Sequence, residues 1–232
     1  MPALPDPTLD RKFERLRAEL VSRLPADALL DAGCGDGRYL VTLASMRARP
    51  RRLVGVDISE RILDVARAAV EAVGVEAELL RGNLEELPAE DGAFDLVLCV
   101  QVVEHLLEPE RGLRELARVL APGGTLIVST DHARMLVSRA LNAPRSALVR
   151  LLGLRHRRFA VEFPHRSFGL DEFAGLVEAA GLVVESRETF RFSLQHPLDP
   201  RWAVRTLNRL EKALPPHRLG DIVLVVARKP LA

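Results

Sequence analysis

Short apolar runs separated by amphipathic stretches dominate the first 131 residues. The runs are Ala28–Ala32, Leu53–Asp57, Ala77–Arg81, Phe94–Val100 and Thr125–Thr130. Near-continuous apolar runs of this length are what strands buried on both faces require. Between them the spacing predicts helices over Gly37–Met46, Glu60–Val73 and Glu110–Leu120. In the third helix, Leu113, Leu116, Ala117 and Leu120 recur at i, i+3, i+4 and i+7, which gathers them on one face. Ala121-Pro122-Gly123-Gly124 then stops the helix and turns the chain into the next strand. Strands alternating with helices predict an α/β fold whose parallel sheet is covered on both sides.

The alternation breaks after the fifth strand. Residues 132–166 read as two short basic helices interrupted by Pro144, followed by a loop through Pro164. A helix over Leu170–Ala180, ended by Gly181, and a strand over Leu182–Glu188 restore the pattern. Residues 191–219 form a second insertion, with a helix around Trp202–Leu214 closed by Pro215-Pro216, and Ile222–Ala227 is the last strand. The chain therefore reads as one domain in four parts: an N-terminal helical segment (1–24), a core (25–131), a basic lid (132–166) and a C-terminal part of the sheet (167–232). Both insertions follow strands, where they can cover the ligand-binding edge of an open sheet.

Charge and composition narrow the class. The 232 residues carry 33 basic and 32 acidic side chains and are 48% apolar, a globular composition. The balance argues against a nucleic-acid binder, which shows a basic excess. No apolar stretch reaches the ~18 residues of a membrane span. No basic stretch followed by an apolar run marks a secretory leader, so a cytoplasmic location is expected. Cys34 and Cys99 are too few for a disulfide framework or a four-sulfur metal site, and read as packing residues near each other on adjacent strands.

The first strand runs into Asp31-Ala32-Gly33-Cys34-Gly35-Asp36-Gly37, and a helix follows. Glycines let the backbone turn sharply and approach a ligand where a Cβ would clash, and the helix start adds oriented N–H groups. Asp57 ends the second strand beside the same crevice, where a carboxylate can accept both hydroxyl hydrogens of an adenosine ribose. A nicotinamide or flavin dinucleotide fold would place its acid at a similar distance. That fingerprint wants its third glycine at position 38, which is Arg38, and Asp31 would repel a pyrophosphate. An acid at Asp31 suits instead a ligand carrying an ammonium group.

Four segments in order resemble the motifs of the class I S-adenosylmethionine-dependent methyltransferases, in the ubiquinone-biosynthesis-like group. They are residues 29–37, Val54-Gly55-Val56-Asp57-Ile58-Ser59, the fourth strand with Val102-Val103-Glu104-His105-Leu106, and Arg114 to Gly124. The resemblance implies a Rossmann-like, doubly wound, mostly parallel seven-stranded sheet with an antiparallel last strand and helical cap insertions. It implies S-adenosylmethionine as cofactor and methyl transfer to a small-molecule acceptor such as a quinone, phenol or lipid-like compound. It also implies roles. Asp31, Ala32, Gly33 and Gly35 lie on the methionine side, Asp57 holds the ribose and Ile58 packs on the adenine face. Asn83 and Leu84 meet the adenine edge, where the family's usual Asp is Asn83, and Val100 and Gln101 sit beside the transferable methyl. His105 is the candidate base, against a capping or packing role. Quinone O-methyltransferases of the group carry Glu-x-x-Glu-His where this chain has Gln101-Val102-Val103-Glu104-His105; the lost carboxylate predicts no tightly bound metal. Two other readings stay open: a catalytically inactive cofactor binder on the same fold, and an NAD(P)-dependent oxidoreductase.

The lid fits three readings. From His132 to Val161 there is no acidic residue, while Arg134, Arg139, Arg145, Arg150, Arg155, Arg157 and Arg158 alternate with apolar positions. The arginines can be solvated on a packed cap, can favour an anionic acceptor, or can bring the chain to a membrane surface where a lipid-soluble acceptor resides. His165 is placed to face the acceptor pocket, and Phe159, Phe163, Phe168, Phe190, Phe192 and Trp202 gather in the two insertions.

Overall fold

The computed structural model describes residues 10–44, 46, 49–133, 165–190, 201–213 and 219–231. Helix α1 (Arg11–Ser22) is capped by Asp10, whose carboxylate accepts the Phe13 N–H at 3.0 Å. Strands β1 (Ala28–Ala32), β2 (Arg52–Asp57), β3 (Glu78–Arg81), β4 (Phe94–Val100) and β5 (Leu120–Asp131) alternate with helices α2 (Arg38–Ala44), α3 (Glu60–Ala72) and α4 (Pro109–Val119). Helix α5 (Leu170–Ala179), β6 (Val183–Phe190), α6 (Arg201–Ala213) and β7 (Ile222–Arg228) follow. The spatial order is β3-β2-β1-β4-β5-β7-β6. Strands β1 to β5 run parallel, and β7 pairs antiparallel with both β5 and β6. The doubly wound, seven-stranded sheet with its antiparallel last strand is the architecture the sequence predicts.

The apolar runs are buried on both faces because helices cover both. Leu30, Val54, Val97 and Val128 point into one layer with α4 and α5, while Leu29, Leu53, Leu96 and Ile127 point into the other with α1 and α2. The same alternation separates the two cysteines. Cys99 packs in the first layer and Cys34 in the second, so their expected proximity gives way to burial on opposite sides of the sheet. Asp95 ties β4 to the start of β1: its carboxylate accepts the Asp27 and Ala28 N–H groups at 2.8 and 2.7 Å.

One boundary differs from expectation. The chain joins the sheet at Leu120, before the Ala121–Gly124 turn signal, and β5 then bulges: Phe94 pairs with Leu120 but Leu96 with Thr125. Pro122 cannot donate to the ladder and Gly123 takes φ +78°, while the Gly123 N–H and the Gly124 carbonyl bond Lys229 just beyond β7, both at 2.9 Å.

The lid helices expected within 134–164 lie outside the described residues, as do 191–200 and 214–218 of the second insertion. Their roots are visible. The Ala133 N–H donates to the Phe168 carbonyl at 2.9 Å, and the His132 N–H to the Asp221 carbonyl at 2.8 Å. Phe190 and Ile222, which bracket the second insertion, pair with each other, and Ile222 also pairs with Asp131. Both insertions therefore spring from the C-terminal end of β5.

Candidate functional site

In the strand order, β1 and β4 are neighbours whose connections lead off in opposite directions, which opens a crevice beyond their C-terminal ends. A cavity of about 580 Å³ occupies it. Of the residues singled out in the sequence, Gly33, Gly35, Asp57, Ile58, Asn83, Leu84, Val100, Gln101 and His105 line this cavity. Asp31 and Ala32 lie behind the lining, buried at the end of β1. Glu85, Val102, Leu106 and Leu107 line it as well and were not singled out. Their signal was positional only: they follow strands β3 and β4, whose C-terminal loops must frame such a crevice.

The glycine loop is fastened to β2. The Gly33 and Cys34 N–H groups donate to the Val56 carbonyl at 2.7 and 3.0 Å. The Gly35 N–H donates to one oxygen of Asp57 at 3.0 Å, and the Ser59 N–H to the other at 3.0 Å. Asp57 thus holds the loop in shape, and each of its oxygens retains a lone pair for a ligand hydroxyl. Gly33 adopts φ +80°, and a Cβ there would collide with the Val102 methyls. Gly35 adopts φ +53°, and a Cβ there would meet nothing within 4 Å, because the space beside it belongs to the cavity. The two glycines are needed for different reasons: the first for packing, the second to leave room.

Several polar groups are left incomplete. Asp31 is 1% exposed, and its Oδ2 has no hydrogen-bond partner among the described residues. Burial, followed by repulsion from Asp57 and Asp36, pushes its carboxyl up to about 7. A buried carboxyl in that state lacks a positive partner. Gln101 carries φ +56°, a left-handed conformation that costs a non-glycine residue about 1–3 kcal/mol. Its Nε2 is also buried without a partner among the described residues. At the rim, Ile58 is 54% and Leu107 80% exposed, apolar surface that a bound molecule would cover. These features fit a ligand with a cationic amino-acid end, a ribose and a flat ring. The Asn83 side-chain oxygen accepts the Glu85 N–H at 3.0 Å, which fixes the amide and leaves its NH2 and one oxygen lone pair for an adenine edge.

Neighbours Glu104 and His105 face different ways. The short 3-10 turn Val103–His105 leaves His105 exposed at the cavity, with its ring 5.3 Å from that of His165. His165 in turn lies 3.4 Å from an Asp131 oxygen. Glu104 points inward instead, is 1% exposed, and accepts the Thr130 hydroxyl at 3.0 Å. Burial pushes its carboxyl up to about 7. Gln101, Glu104 and His105 therefore do not converge on one point. Among the described residues, no group of three or more His, Cys, Asp or Glu side chains is arranged to hold a metal ion.

Comparison with known proteins follows the same lines. Residues 30–128 match the methyltransferase domain family. A ubiquinone biosynthesis O-methyltransferase of Hahella chejuensis is 39% identical over 134 residues, 57% of this chain and 51% of that protein. A demethylmenaquinone methyltransferase of Bacillus cereus is 30% identical over 181 residues, 73% of this chain and 76% of that protein. The chain spans between 40% and 59% of the length of several curated relatives it matches. Among solved structures, an S-adenosylmethionine-dependent methyltransferase of Mesorhizobium loti superposes with a TM-score of 0.61 at 19% identity, over 91% of this chain and 96% of that one. At that identity the likeness shows the fold.

Proposed function

This chain belongs to the S-adenosylmethionine-dependent methyltransferases, and we propose that it methylates a small, largely apolar acceptor of the phenol or quinol kind. The bound S-adenosylmethionine supplies a methyl group activated by the adjacent sulfonium. The observation that carries the proposal is the unlike character of the cavity's two sides. On the β1–β3 side, the Gly33–Gly35 loop, Asp57 and Asn83 offer hydrogen bonds. On the β4 side, Val100, Val102, Leu106 and Leu107 present hydrocarbon around Gln101 and His105.

In this reading Asp57 accepts the two ribose hydroxyls, Ile58 covers an adenine face, and Asn83 with Leu84 meets the adenine edge. The Gly33 and Gly35 backbone and the Asp31 carboxylate serve the amino-acid end, and Ala32 between them is fully buried. Val100 and Gln101, which line the cavity at the end of β4, would lie beside the transferable methyl group. Displacement at a methyl carbon needs the acceptor oxygen in line and water kept out, so positioning is the protein's main task. His105 accepts the hydroxyl proton as the oxygen attacks, because its imidazole lines the cavity among the apolar residues that would hold the acceptor. Two matched relatives are named for ubiquinone biosynthesis and for demethylmenaquinone, which supports an acceptor of this class.

The test is transfer of labelled methyl from S-adenosylmethionine to a panel of quinols, simple phenols and polar carboxylates. Label in the quinol or phenol fraction is the expected result. Label confined to the polar carboxylates overturns the acceptor class, and none in any fraction overturns the activity.

A further inference from the structure

Helix α6 presents a face that a folded core does not require. Its exposed positions among the described side chains are Trp202, Arg205, Thr206, Arg209, Leu210 and Ala213, and none is acidic. Trp202 is 72% and Leu210 61% exposed. These two would ordinarily be the first to be buried. Asn208, on another side of the helix, is buried in their place. Apolar and aromatic residues flanked by arginines on one helical face are the arrangement that lies in a lipid headgroup layer, with the indole at the polar boundary.

The position of α6 gives that face a use. The insertion carrying it leaves the sheet at Phe190 and returns at Ile222, level with Asp131 at the C-terminal end of β5. The cavity opens at this same end of the sheet. The other insertion also springs from there, and its segment 134–158 carries seven arginines and no acid in sequence. No helix among the described residues is long and apolar enough to cross a membrane, so attachment through α6 would be peripheral.

We propose that α6 docks on an anionic lipid surface, with Trp202 and Leu210 inserted and Arg205 and Arg209 on the phosphates. An apolar acceptor would then reach the cavity from the bilayer without crossing water. The docking itself rests on α6, whereas its purpose rests on the methyl-transfer reading. The two are therefore tested separately.

Trp202 is the only tryptophan of the chain, so its fluorescence reports on this face alone. The full chain is titrated with vesicles of phosphatidylglycerol and phosphatidylcholine, and separately of phosphatidylcholine alone. The expected result is an emission shift to shorter wavelength, with co-sedimentation, for the anionic vesicles and its loss at high salt. The double variant Arg205→Gln/Arg209→Gln, which keeps the reporter, should need roughly 30-fold more lipid for the same shift. Calorimetry with S-adenosylhomocysteine should be unchanged in that variant, which shows that the fold and the cofactor site are intact. Three results overturn the docking: no shift with any vesicle, an equal shift with neutral vesicles, or a shift that grows with protein concentration and no lipid. The last would assign the face to a second copy of the chain.

Discussion

Replacing Asp31 with Asn should make the ligand-free protein more stable at alkaline pH while weakening its hold on the cofactor. The reasoning starts from a carboxyl that is 1% exposed, has one oxygen unpartnered among the described residues, and is pushed from an ordinary 3.8 to about 7. Because the folded value lies above the unfolded one, the group favours the folded state below about pH 4 and loses that contribution as pH rises through 7. Once ionised it costs on the order of 4 kcal/mol. A buried amide without full partners returns about 1–3 kcal/mol of that, so the net gain from Asp31→Asn above pH 7 is about 2 kcal/mol. For a chain of this size that raises the melting temperature by roughly 4–8 °C. At pH 5 the carboxyl is already protonated, and the variant should be equal to or slightly less stable than the parent. Binding moves the other way. The cofactor's ammonium needs the ionised carboxylate, so parent affinity for S-adenosylhomocysteine should fall by up to about tenfold per pH unit below 7. The variant should lose about 1.5–3 kcal/mol of binding and most of that pH dependence. Thermal scans at pH 5 and 8, with calorimetry across the same range, measure both. A variant no more stable than the parent at pH 8, or one that binds undiminished, would refute the argument.

Other substitutions probe the remaining parts of the site. Asp57→Ala removes the acceptor of the Gly35 and Ser59 N–H groups as well as the ribose partner, and should weaken S-adenosylhomocysteine binding by at least about 1.5–3 kcal/mol in calorimetry. Gly33→Ala should lower stability by about 2–3 kcal/mol in chemical denaturation, from its φ of +80° and the collision with Val102. Adding Val102→Ala should recover the collision part and leave the backbone part, a coupling that a double-mutant cycle reads directly. Glu104→Gln keeps an acceptor for the Thr130 hydroxyl but cannot ionise. Since the Glu104 carboxyl is pushed up to about 7, the variant should gain stability at pH 8 and none at pH 5 in thermal scans.

What could be read from the chain, and what could not, divides along physical lines. β1 and β4 appear where their apolar runs lie, because a strand sealed on both faces must be written in consecutive hydrophobic residues. Asp57 and the glycine loop were legible as partners, since both sit at strand ends that a parallel sheet brings together. Their mutual hydrogen bond was not, because it depends on the exact turn of the loop. The start of β5 is not legible in the chain because a local stop signal, Pro122 and the two glycines, competes with pairing to a distant strand, and the pairing wins. Glu104 and His105 are adjacent in sequence but differ in environment, and one short turn decides which of them reaches the cavity. The left-handed backbone of Gln101 leaves no trace in composition, because no glycine marks it. Asp31 was recognisable as an acid suited to an ammonium group, while its sealed, raised state is a property of everything packed around it.

The central claim is that the crevice beyond β1, β2 and β4 holds S-adenosylmethionine. Calorimetric titration of the purified chain with S-adenosylhomocysteine, beside NADH and NADPH, tests it most directly. The account predicts one-to-one binding of S-adenosylhomocysteine, reduced in Asp57→Ala and made insensitive to pH in Asp31→Asn, with no heat from either nicotinamide. Binding of a nicotinamide in preference, or S-adenosylhomocysteine binding indifferent to both substitutions, would contradict it.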